Sequence, residues 1–310
     1  MTKLENTTFS IVLLQFQIAC GIWHGAVVTS NGSVYSWGFN RSHGALGQGT
    51  RTKNNHFLGP SLITSLNERK IVSISCGNNY NLAIDSDGNL FSWGFGKYGV
   101  LGLGDERDRF EPTNVTENIN EKIVYVDAGF THCGVVTDKG KILMAGNGAS
   151  GGLGFGSSFL KNSLFFRAID HFPIDVHFKA LSCSKGAHHG HTLALTNEGQ
   201  VYSWGDGYKA KLGHGDQESR FTPCLIDPKY FNYEKIKQVC GGGIHSTAVS
   251  EDGNAYTWGC GSDGRLGHPE ARGHRYLFRV DVPRVVDVLK EKGKVLEIKS
   301  SYNHAVALVE

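Results

Sequence analysis

The sequence lacks a long apolar run and an excess of charge of either sign. No stretch approaches the roughly eighteen consecutive apolar residues of a membrane-spanning helix. The net charge is +2, from 31 basic and 29 acidic residues, so general binding to nucleic acid or to a membrane surface has no electrostatic basis. Hydrophobic residues make up 40% of the chain, as in folded proteins. We therefore expect a globular protein that binds no membrane and no specific nucleic-acid sequence.

Closely spaced cysteine pairs are missing as well. The seven cysteines are scattered, their number is odd, and no C-x-x-C motif occurs. This pattern predicts unpaired, mostly buried thiols in a reducing compartment, and hence an intracellular protein of the cytoplasm or the nucleus. The apolar run 11–14 has neither a basic leader nor a small-residue cleavage site, so we interpret it as a strand and not as a signal peptide.

Sequence motifs of catalysis are absent too. There is no Walker-type phosphate loop, no Gly-x-Ser-x-Gly elbow and no His-Glu-x-x-His zinc motif. Four segments match or nearly match the Gly-x-Gly-x-x-Gly dinucleotide fingerprint, but each continues into another turn where a binding site needs a helix. We therefore predict that these segments are loops: 94–99, 146–151, 205–210 and 259–264.

The best metal candidate is the cluster of His188, His189 and His191 with Cys183 nearby. Adjacent histidines point in different directions, and no second ligand pair has a suitable spacing, so a solvated loop is the better interpretation. The sequence thus predicts no metal, no cofactor and no catalytic residue. We expect a protein that is not an enzyme.

Glycine is abundant, with 41 residues against 7 prolines, and its positions reveal an internal repeat. A strand with the pattern Tyr-Ser-Trp-Gly, or a variant of it, recurs at intervals of 52 to 59 residues. Its glycines are Gly38, Gly94, Gly146, Gly205 and Gly259. In each unit a turn glycine lies five residues before the tryptophan position, and a histidine or tyrosine lies eight residues before that glycine.

Each unit is expected to form antiparallel strands. Asp-Gly or a close relative between two apolar runs is a strong hairpin signal, and it recurs in all five units; a short helix is indicated at 285–292. Because a four-stranded unit cannot bury both of its faces alone, the units must stack around an axis as the blades of a propeller. The predicted wedges between blades are Trp37, Trp93, Trp204 and Trp258.

The pattern resembles a known repeat. Over residues 8–309 the chain is similar to the repeat of the regulator of chromosome condensation family. The matching pattern is Ile-x-Cys-Gly-x-x-His, then Asp-Gly-x-Val-Tyr-Ser-Trp-Gly, then Gly-x-Leu-Gly-x-Gly-Asp. WD-repeat blades are shorter and carry Trp-Asp, and kelch blades carry a Gly-Gly pair that is missing here. The resemblance implies an all-β propeller, and the family's propellers are seven-bladed rings.

The repeat predicts a single domain over 1–310 with five complete units and a partial sixth. Their approximate bounds are 15–70, 71–122, 123–178, 179–235, 236–294 and 295–310. A ring of six or seven blades would then be incomplete. Either the N-terminal strand 9–14 completes the sixth blade, or the remaining strands lie elsewhere. An unpaired blade edge favours dimerisation or strand addition by a partner.

Loops of a propeller crowd onto two faces, and loops carry function. One face should present the residues at and just before the repeated histidine. This predicted partner-binding face comprises Trp23, His24, Asn79, Tyr80, Thr131, His132, His191, Ile244, His245, Asn303 and His304. Trp23 is an interface anchor if it is exposed and a packing residue if it is not. The histidines have a structural alternative, which is a hydrogen bond to a neighbouring backbone carbonyl.

A second candidate is the long basic connection from Arg265 to Arg284. It is either a solvated loop or a grip for an acidic protein or a phosphate surface. Its arginines are Arg265, Arg272, Arg275, Arg279 and Arg284.

The resemblance implies two classes of function. Many proteins use this propeller as an interaction module, whereas one face of the founding member promotes guanine-nucleotide exchange on a small GTPase of the Ran type. That exchange involves acids beside the repeated histidines. In this chain no acid occupies the corresponding positions 23, 79, 131, 190, 244 and 303. Residues 1–10 contain one basic residue, Lys3. A plant ultraviolet-B photoreceptor also belongs to the family, but its Gly-Trp-Arg-His-Thr segments are matched faintly, at 21–24 alone. We therefore expect a non-catalytic protein-protein interaction scaffold, with the exchange factor as the alternative.

Overall fold

The computed structural model describes residues 15–40, 43–49, 56–173, 175–186, 190–269 and 278–310. Within them the chain forms five four-stranded antiparallel sheets and one two-stranded sheet, so the predicted propeller of five complete units and a partial sixth is confirmed. A single turn of α-helix, α1 (Asp287–Lys290), lies inside the segment predicted to be helical. None of the described helices is long and apolar enough to cross a membrane.

Consecutive strands are neighbours in every sheet. The first two blades contain β1 (Gln15–Cys20), β2 (His24–Thr29), β3 (Val34–Phe39), β4 (His56–Leu62), β5 (Ile71–Cys76), β6 (Tyr80–Asp85), β7 (Leu90–Gly94) and β8 (Arg109–Asn114). The third and fourth contain β9 (Ile123–Ala128), β10 (His132–Thr137), β11 (Ile142–Gly146), β12 (Ser163–Ala168), β13 (Phe178–Cys183), β14 (His191–Thr196), β15 (Val201–Gly205) and β16 (Arg220–Leu225). The fifth contains β17 (Ile236–Gly241), β18 (His245–Ser250), β19 (Ala255–Cys260) and β20 (Arg279–Val285), and a half-blade follows with β21 (Val295–Ser300) and β22 (Ala305–Val309).

The second and third strands of each complete blade form a tight hairpin. In the second blade, β6 pairs with β7 from Tyr80 and Gly94 to Ile84 and Leu90. The turn residue Gly88 has a φ of +86°, a conformation that glycine adopts without steric cost. Every residue of β6 and β7 is buried, so both faces of this hairpin pack against other parts of the protein.

The first strands of successive blades contact one another, from β1 with β5 to β17 with β21. They therefore line the central axis, and the fourth strands lie at the periphery. His24 at the start of β2 pairs with Gly38 at the end of β3. The connections from first to second strands and those from third to fourth strands therefore lie on the same side of the sheets. This upper face carries the turns 21–23, 77–79, 129–131, 242–244 and 301–303 and the loops 43–49, 95–108, 147–162, 206–219 and 261–269. The lower face carries the hairpin turns.

Indole rings wedge between the blades. The fully buried tryptophans are Trp93, Trp204 and Trp258, as expected for side chains that pack between blades. Trp93 lies so close to the loop of the preceding blade that a Cβ added to Gly47 would be 2.9 Å from its Nε1. Trp37 is half-buried, because within the described residues no blade precedes its own. The segment 9–14, predicted to be a strand, lies outside the described residues.

Candidate partner-binding face

The repeated histidine joins one blade to the next through a chain of hydrogen bonds. Between the third and fourth blades, His132 Nε2 lies 2.9 Å from Thr192 Oγ1. Thr192 Oγ1 donates to the backbone oxygen of Gly152 at 2.8 Å, and Trp204 Nε1 donates to the same oxygen at 2.8 Å. One loop carbonyl of the third blade thus accepts two hydrogen bonds from the fourth. We call this four-residue arrangement the inter-blade relay.

The relay recurs at two further boundaries with different residue types. It comprises His24, Asn81, Ala45 and Trp93 between the first and second blades, and His191, Ser246, Lys211 and Trp258 between the fourth and fifth. Its hydrogen bonds there measure 2.7 to 3.2 Å. Asparagine, threonine and serine are equivalent at this position because each offers both an acceptor and a donor.

A tyrosine replaces the histidine between the second and third blades. The hydroxyl of Tyr80 donates to the backbone oxygens of Gly129 and His132 at 3.0 and 3.2 Å. Being longer than histidine, it reaches the turn of the next blade directly. For His24 and His191 the predicted backbone partner is wrong, because each ring bonds a side chain of the following blade instead. The ring of His132 bonds Thr192 and also has a backbone hydrogen bond at His191.

The relay also sets the protonation state of the histidines. Because Thr192 donates its single hydroxyl proton to a carbonyl, its oxygen must accept from His132, which therefore carries its proton on Nε2. Nδ1 of His24 and Nδ1 of His191 are buried with no hydrogen-bond partner, so a second proton there would be a buried donor without an acceptor. Burial lowers the pKa of His132 from 6.5 to about 4, and it also lowers the pKa values of His24 and His191.

The last relay, between the fifth blade and the half-blade, is incomplete. Ala305 occupies the position of Ser246 in the fifth blade and has no group to exchange hydrogen bonds. Both ring nitrogens of His245 are buried without a partner. Burial and the charge of Arg265 lower the pKa of His245 to about 4. Within the described residues the half-blade has no third strand, so no tryptophan reaches the loop carbonyl of Arg265.

A second polar cluster joins three blades near the axis, around Asp127. Its carboxylate accepts from the backbone nitrogen of Cys183 at 2.7 Å, from Ser75 Oγ at 3.1 Å and from Lys185 Nζ at 3.3 Å. Burial opposes the charge of Lys185, but the carboxylate of Asp127 outweighs it and raises the pKa of the lysine. This cluster holds strands together, and no repeated motif in the sequence indicates it.

Apolar and aromatic side chains are exposed on the upper face. Ile22 and Trp23 are 51% and 48% exposed, and Tyr302 is 49% exposed. Farther from the axis, Tyr208 is 45% exposed. Tryptophan and tyrosine are enriched among the residues that contribute most to binding, and Trp23 is exposed enough to contact a partner.

Several residues of the predicted partner-binding face are buried, which corrects the prediction for them. They are His24, Asn79, Tyr80, His132, His191 and His245. The reason is their place at or next to the start of a second strand, where the blades meet and the relay forms. The residues that remain half-buried or exposed are Trp23, Thr131, Ile244, Asn303 and His304.

The basic connection begins on the same upper face. The side chain of Arg265 is 6% exposed and lies 3.5 Å from Asp263, and its Nε donates to Ser262 O at 2.8 Å. Arg265 is therefore not a surface contact, contrary to the prediction. Arg279 pairs with Asp281 at 2.7 Å, whereas Arg272 and Arg275 lie outside the described residues.

The glycine-rich segments are loops between third and fourth strands, as predicted. Three of them contain a three-residue 3-10 turn, at Lys97–Gly99, Tyr208–Ala210 and Ser262–Gly264. Such turns do not present the helix N-terminus that a pyrophosphate requires. Of the metal candidate, His188 and His189 lie outside the described residues; the described part of the chain contains no group of three or more side chains arranged to ligate a metal.

Known proteins share this architecture. The chain is 33% identical over 277 residues to the ultraviolet-B receptor UVR8 of Arabidopsis thaliana, which covers 89% of this chain but 59% of that receptor. The structure of human WBSCR16 is similar with a TM-score of 0.82 at 23% identity, covering 96% of this chain and 72% of that one. That of Prp20p from Saccharomyces cerevisiae has a TM-score of 0.75 at 22% identity, covering 94% and 67%. Residues 3–310 match the family model of the RCC1-like domain, and the chain belongs to that family.

Proposed function

We propose that this protein is a non-catalytic scaffold that binds a protein partner through its upper face. The observation that carries the proposal is the exposure of Ile22, Trp23 and Tyr302 on turns of that face. Aromatic anchors of this kind dominate the energetics of many interfaces. Membership of the RCC1-like family supports a role in protein interaction or regulation.

The polar groups behind that face favour binding over chemistry. Burial lowers the pKa values of the relay histidines, so these rings are neutral hydrogen-bonding groups at neutral pH. Burial likewise raises the pKa values of the thiols of Cys76, Cys133 and Cys183, which makes them poor nucleophiles. These groups hold the blades together and leave the contact with a partner to the turns.

Guanine-nucleotide exchange on a Ran-like GTPase is the alternative. Prp20p has been characterised for its binding to Gsp1p and histones, which makes a small GTPase one candidate partner. The six upper-face positions next to the repeated histidine or tyrosine carry no acid in this chain, and this favours the scaffold. They are Trp23, Asn79, Thr131, Gly190, Ile244 and Asn303.

The proposal implies a reducing, intracellular setting in the cytoplasm or the nucleus. All seven cysteines are free, and five of them are buried. Free thiols in these numbers are typical of compartments that keep cysteine reduced. Buried free thiols would also be poorly placed to form bonds between molecules.

Site-specific photo-crosslinking tests the proposal. A photoreactive phenylalanine analogue replaces Trp23 or Asn303 on the upper face, and the control positions are the exposed lower-face residues Asp87 and Asp252. We expect both upper-face positions to capture the same protein and the control positions not to capture it. Capture from the lower face alone would contradict the proposal.

A nucleotide-release assay separates the two functions. Labelled GDP is preloaded on a panel of small GTPases that includes any captured one, and its release is followed with and without this protein. The scaffold predicts no acceleration. Acceleration of about a hundredfold, which corresponds to about 2.7 kcal/mol of barrier, would replace the scaffold with the exchange factor.

A further inference from the structure

The third blade differs from its neighbours in the charge of its outer rim. In the second, third and fourth blades one loop glycine, Gly104, Gly156 or Gly215, donates its N–H to the fourth strand of the next blade at 2.9 to 3.0 Å. From this glycine to the end of the fourth strand, the second blade carries four acids and two bases, and the fourth blade carries two acids and one base. The same segment of the third blade carries two bases and no acid.

The neighbouring blades neutralise this rim with an internal ion pair. In the second blade Arg109 Nη2 lies 3.0 Å from Asp105 Oδ2, and the same pair recurs in the fourth blade. In the third blade Ser163 occupies the arginine position, opposite the glycine that ends the third strand. Its hydroxyl donates to the backbone oxygen of Phe165 at 2.8 Å. The third blade therefore lacks this ion pair, and its rim keeps a positive charge.

Arg167 of β12 is exposed and is held against two phenylalanine rings. Its Cζ lies 4.9 Å from the ring centroid of Phe155 and 5.2 Å from that of Phe159. The two rings meet edge to face, and the N–H of Phe159 donates to Gly156 O at 3.1 Å, which fixes the loop. Contact with the rings orients the guanidinium and leaves its N–H groups available to a ligand. Within the described residues Arg167 has no ion-pair partner.

Apolar side chains of the same segment are exposed. Leu160, which follows the stacked Phe159, is 43% exposed, and Phe165 is 51% exposed. The ring of Phe165 is fixed by the preceding blade, because a Cβ added to Gly104 would lie 2.5 Å from its Cζ. Exposed apolar side chains near an oriented, unpaired cation are typical of a protein-binding site. We call this surface the outer patch, and it consists of Phe159, Leu160, Phe165 and Arg167.

We propose that the outer patch binds an acidic segment of a partner protein that also carries a leucine or an aromatic residue. A carboxylate of the segment accepts two hydrogen bonds from the fork of Arg167, and the exposed Lys161 adds a second positive charge. The apolar side chain of the segment covers Leu160 and Phe165. A second copy of this chain fits less well, because a two-fold contact would bring the basic rim against itself. The outer patch lies on a peripheral strand, so this inference does not rest on the function proposed for the turns near the axis.

Selection from a phage library of short random peptides supplies the probe. The full chain is the bait, and a parallel selection uses the Arg167→Gln variant. Peptides enriched on the wild type but not on the variant report the outer patch. We expect such peptides, and we expect them to combine Asp or Glu with leucine or an aromatic residue. Their absence, or their enrichment without acids, would overturn the proposal.

Anisotropy measurements with the most enriched peptide then locate its contacts. Replacing its acids by the corresponding amides, or introducing Arg167→Gln in the chain, should weaken binding by at least about tenfold. Leu160→Ser changes an exposed side chain and leaves Arg167 in place, and it should weaken binding as well. Lys292→Gln removes the same charge from an exposed position beyond the fifth blade, and it should leave the affinity unchanged. Equal losses for Lys292→Gln and Arg167→Gln would show attraction by net charge alone, which contradicts a defined site.

Discussion

At the scale of single residues, the relay explains how polar groups are tolerated between blades. Thr192 accepts a hydrogen bond from a ring nitrogen and donates one to a carbonyl, so it leaves no unsatisfied hydroxyl. Burial of a polar group without a partner would cost about 1–3 kcal/mol. The histidine provides the reach across the boundary, and the small polar residue provides both a donor and an acceptor.

The relay makes stability depend on pH. The folded-state pKa of His132 and that of His245 lie near 4, below the ordinary value of 6.5, so the unfolded chain binds protons at a higher pH than the folded one. The contribution of these histidines to the free energy of unfolding is therefore fully present above about pH 6.5. As the pH falls toward 4, each such histidine lowers the free energy of unfolding by up to about 1.4 kcal/mol per pH unit. Urea unfolding at a series of pH values measures this.

His132→Gln is the control for that prediction. Glutamine does not titrate, so the free energy of unfolding of the variant should fall less steeply below pH 6.5 by up to about 1.4 kcal/mol per unit. If wild type and variant showed the same slope, the histidine would not be the source of the pH dependence.

The incomplete relay predicts a stabilising substitution. Ala305→Thr supplies a hydroxyl that can accept from His245, whose ring nitrogens are unpartnered, and donate to Arg265 O. Ala305→Val has nearly the same shape without the hydroxyl. We expect the threonine variant to be more stable than the valine variant by about 1 kcal/mol in urea unfolding. Equal stabilities would show that residue 305 is not a relay position.

At the scale of the element, the third strand is the part that locks each blade to the one before. Trp204 is fully buried and bonds Gly152 O, whereas Trp37 is half-buried. Trp204→Ala should therefore cost about 3–5 kcal/mol of unfolding free energy and Trp37→Ala clearly less. Chemical denaturation of both variants measures the difference. Equal losses would mean that the first blade is packed as tightly as the fourth.

The elements were predictable from sequence because their geometry constrains single residues. Gly94 has a φ of +107°, and a Cβ there would lie 2.4 Å from Asn79 O, so a glycine must follow the tryptophan position wherever this strand ends. The partners across blades were not predictable in the same way. His132 and Thr192 are 60 residues apart, and their contact depends on the stagger of two sheets, which no local pattern specifies.

Part of the site did leave a signal in the sequence. The residues directly after the repeated histidine or tyrosine are Gly25, Asn81, Cys133, Thr192, Ser246 and Ala305. Asn81, Thr192 and Ser246 of this column are the three small polar residues of the relays, so the column indicates which boundaries can form one. Trp23 was identified because it falls outside the repeated tryptophan position, and its exposure is consistent with the prediction. Asp127 left no such signal, since it occupies an ordinary strand position.

At the scale of the whole molecule, the residues that hold the blades together are different from those that we propose bind a partner. The relays and the axial cluster lie between blades, and exposed aromatic residues lie on the turns of the upper face. Both ends of the described row of blades expose apolar surface: Ile18 in the first blade is 54% exposed, whereas its counterpart Ile74 in the second is 1% exposed. We therefore expect the upper face to serve a partner.

Amide hydrogen exchange on the complex with the captured partner tests whether the upper face is the binding surface. We expect slower exchange in the upper-face turns 21–23, 77–79, 129–131, 242–244 and 301–303, and unchanged exchange in the hairpin turns around Gly32, Gly88, Gly140, Gly199 and Gly253. Protection confined to those hairpin turns would contradict it.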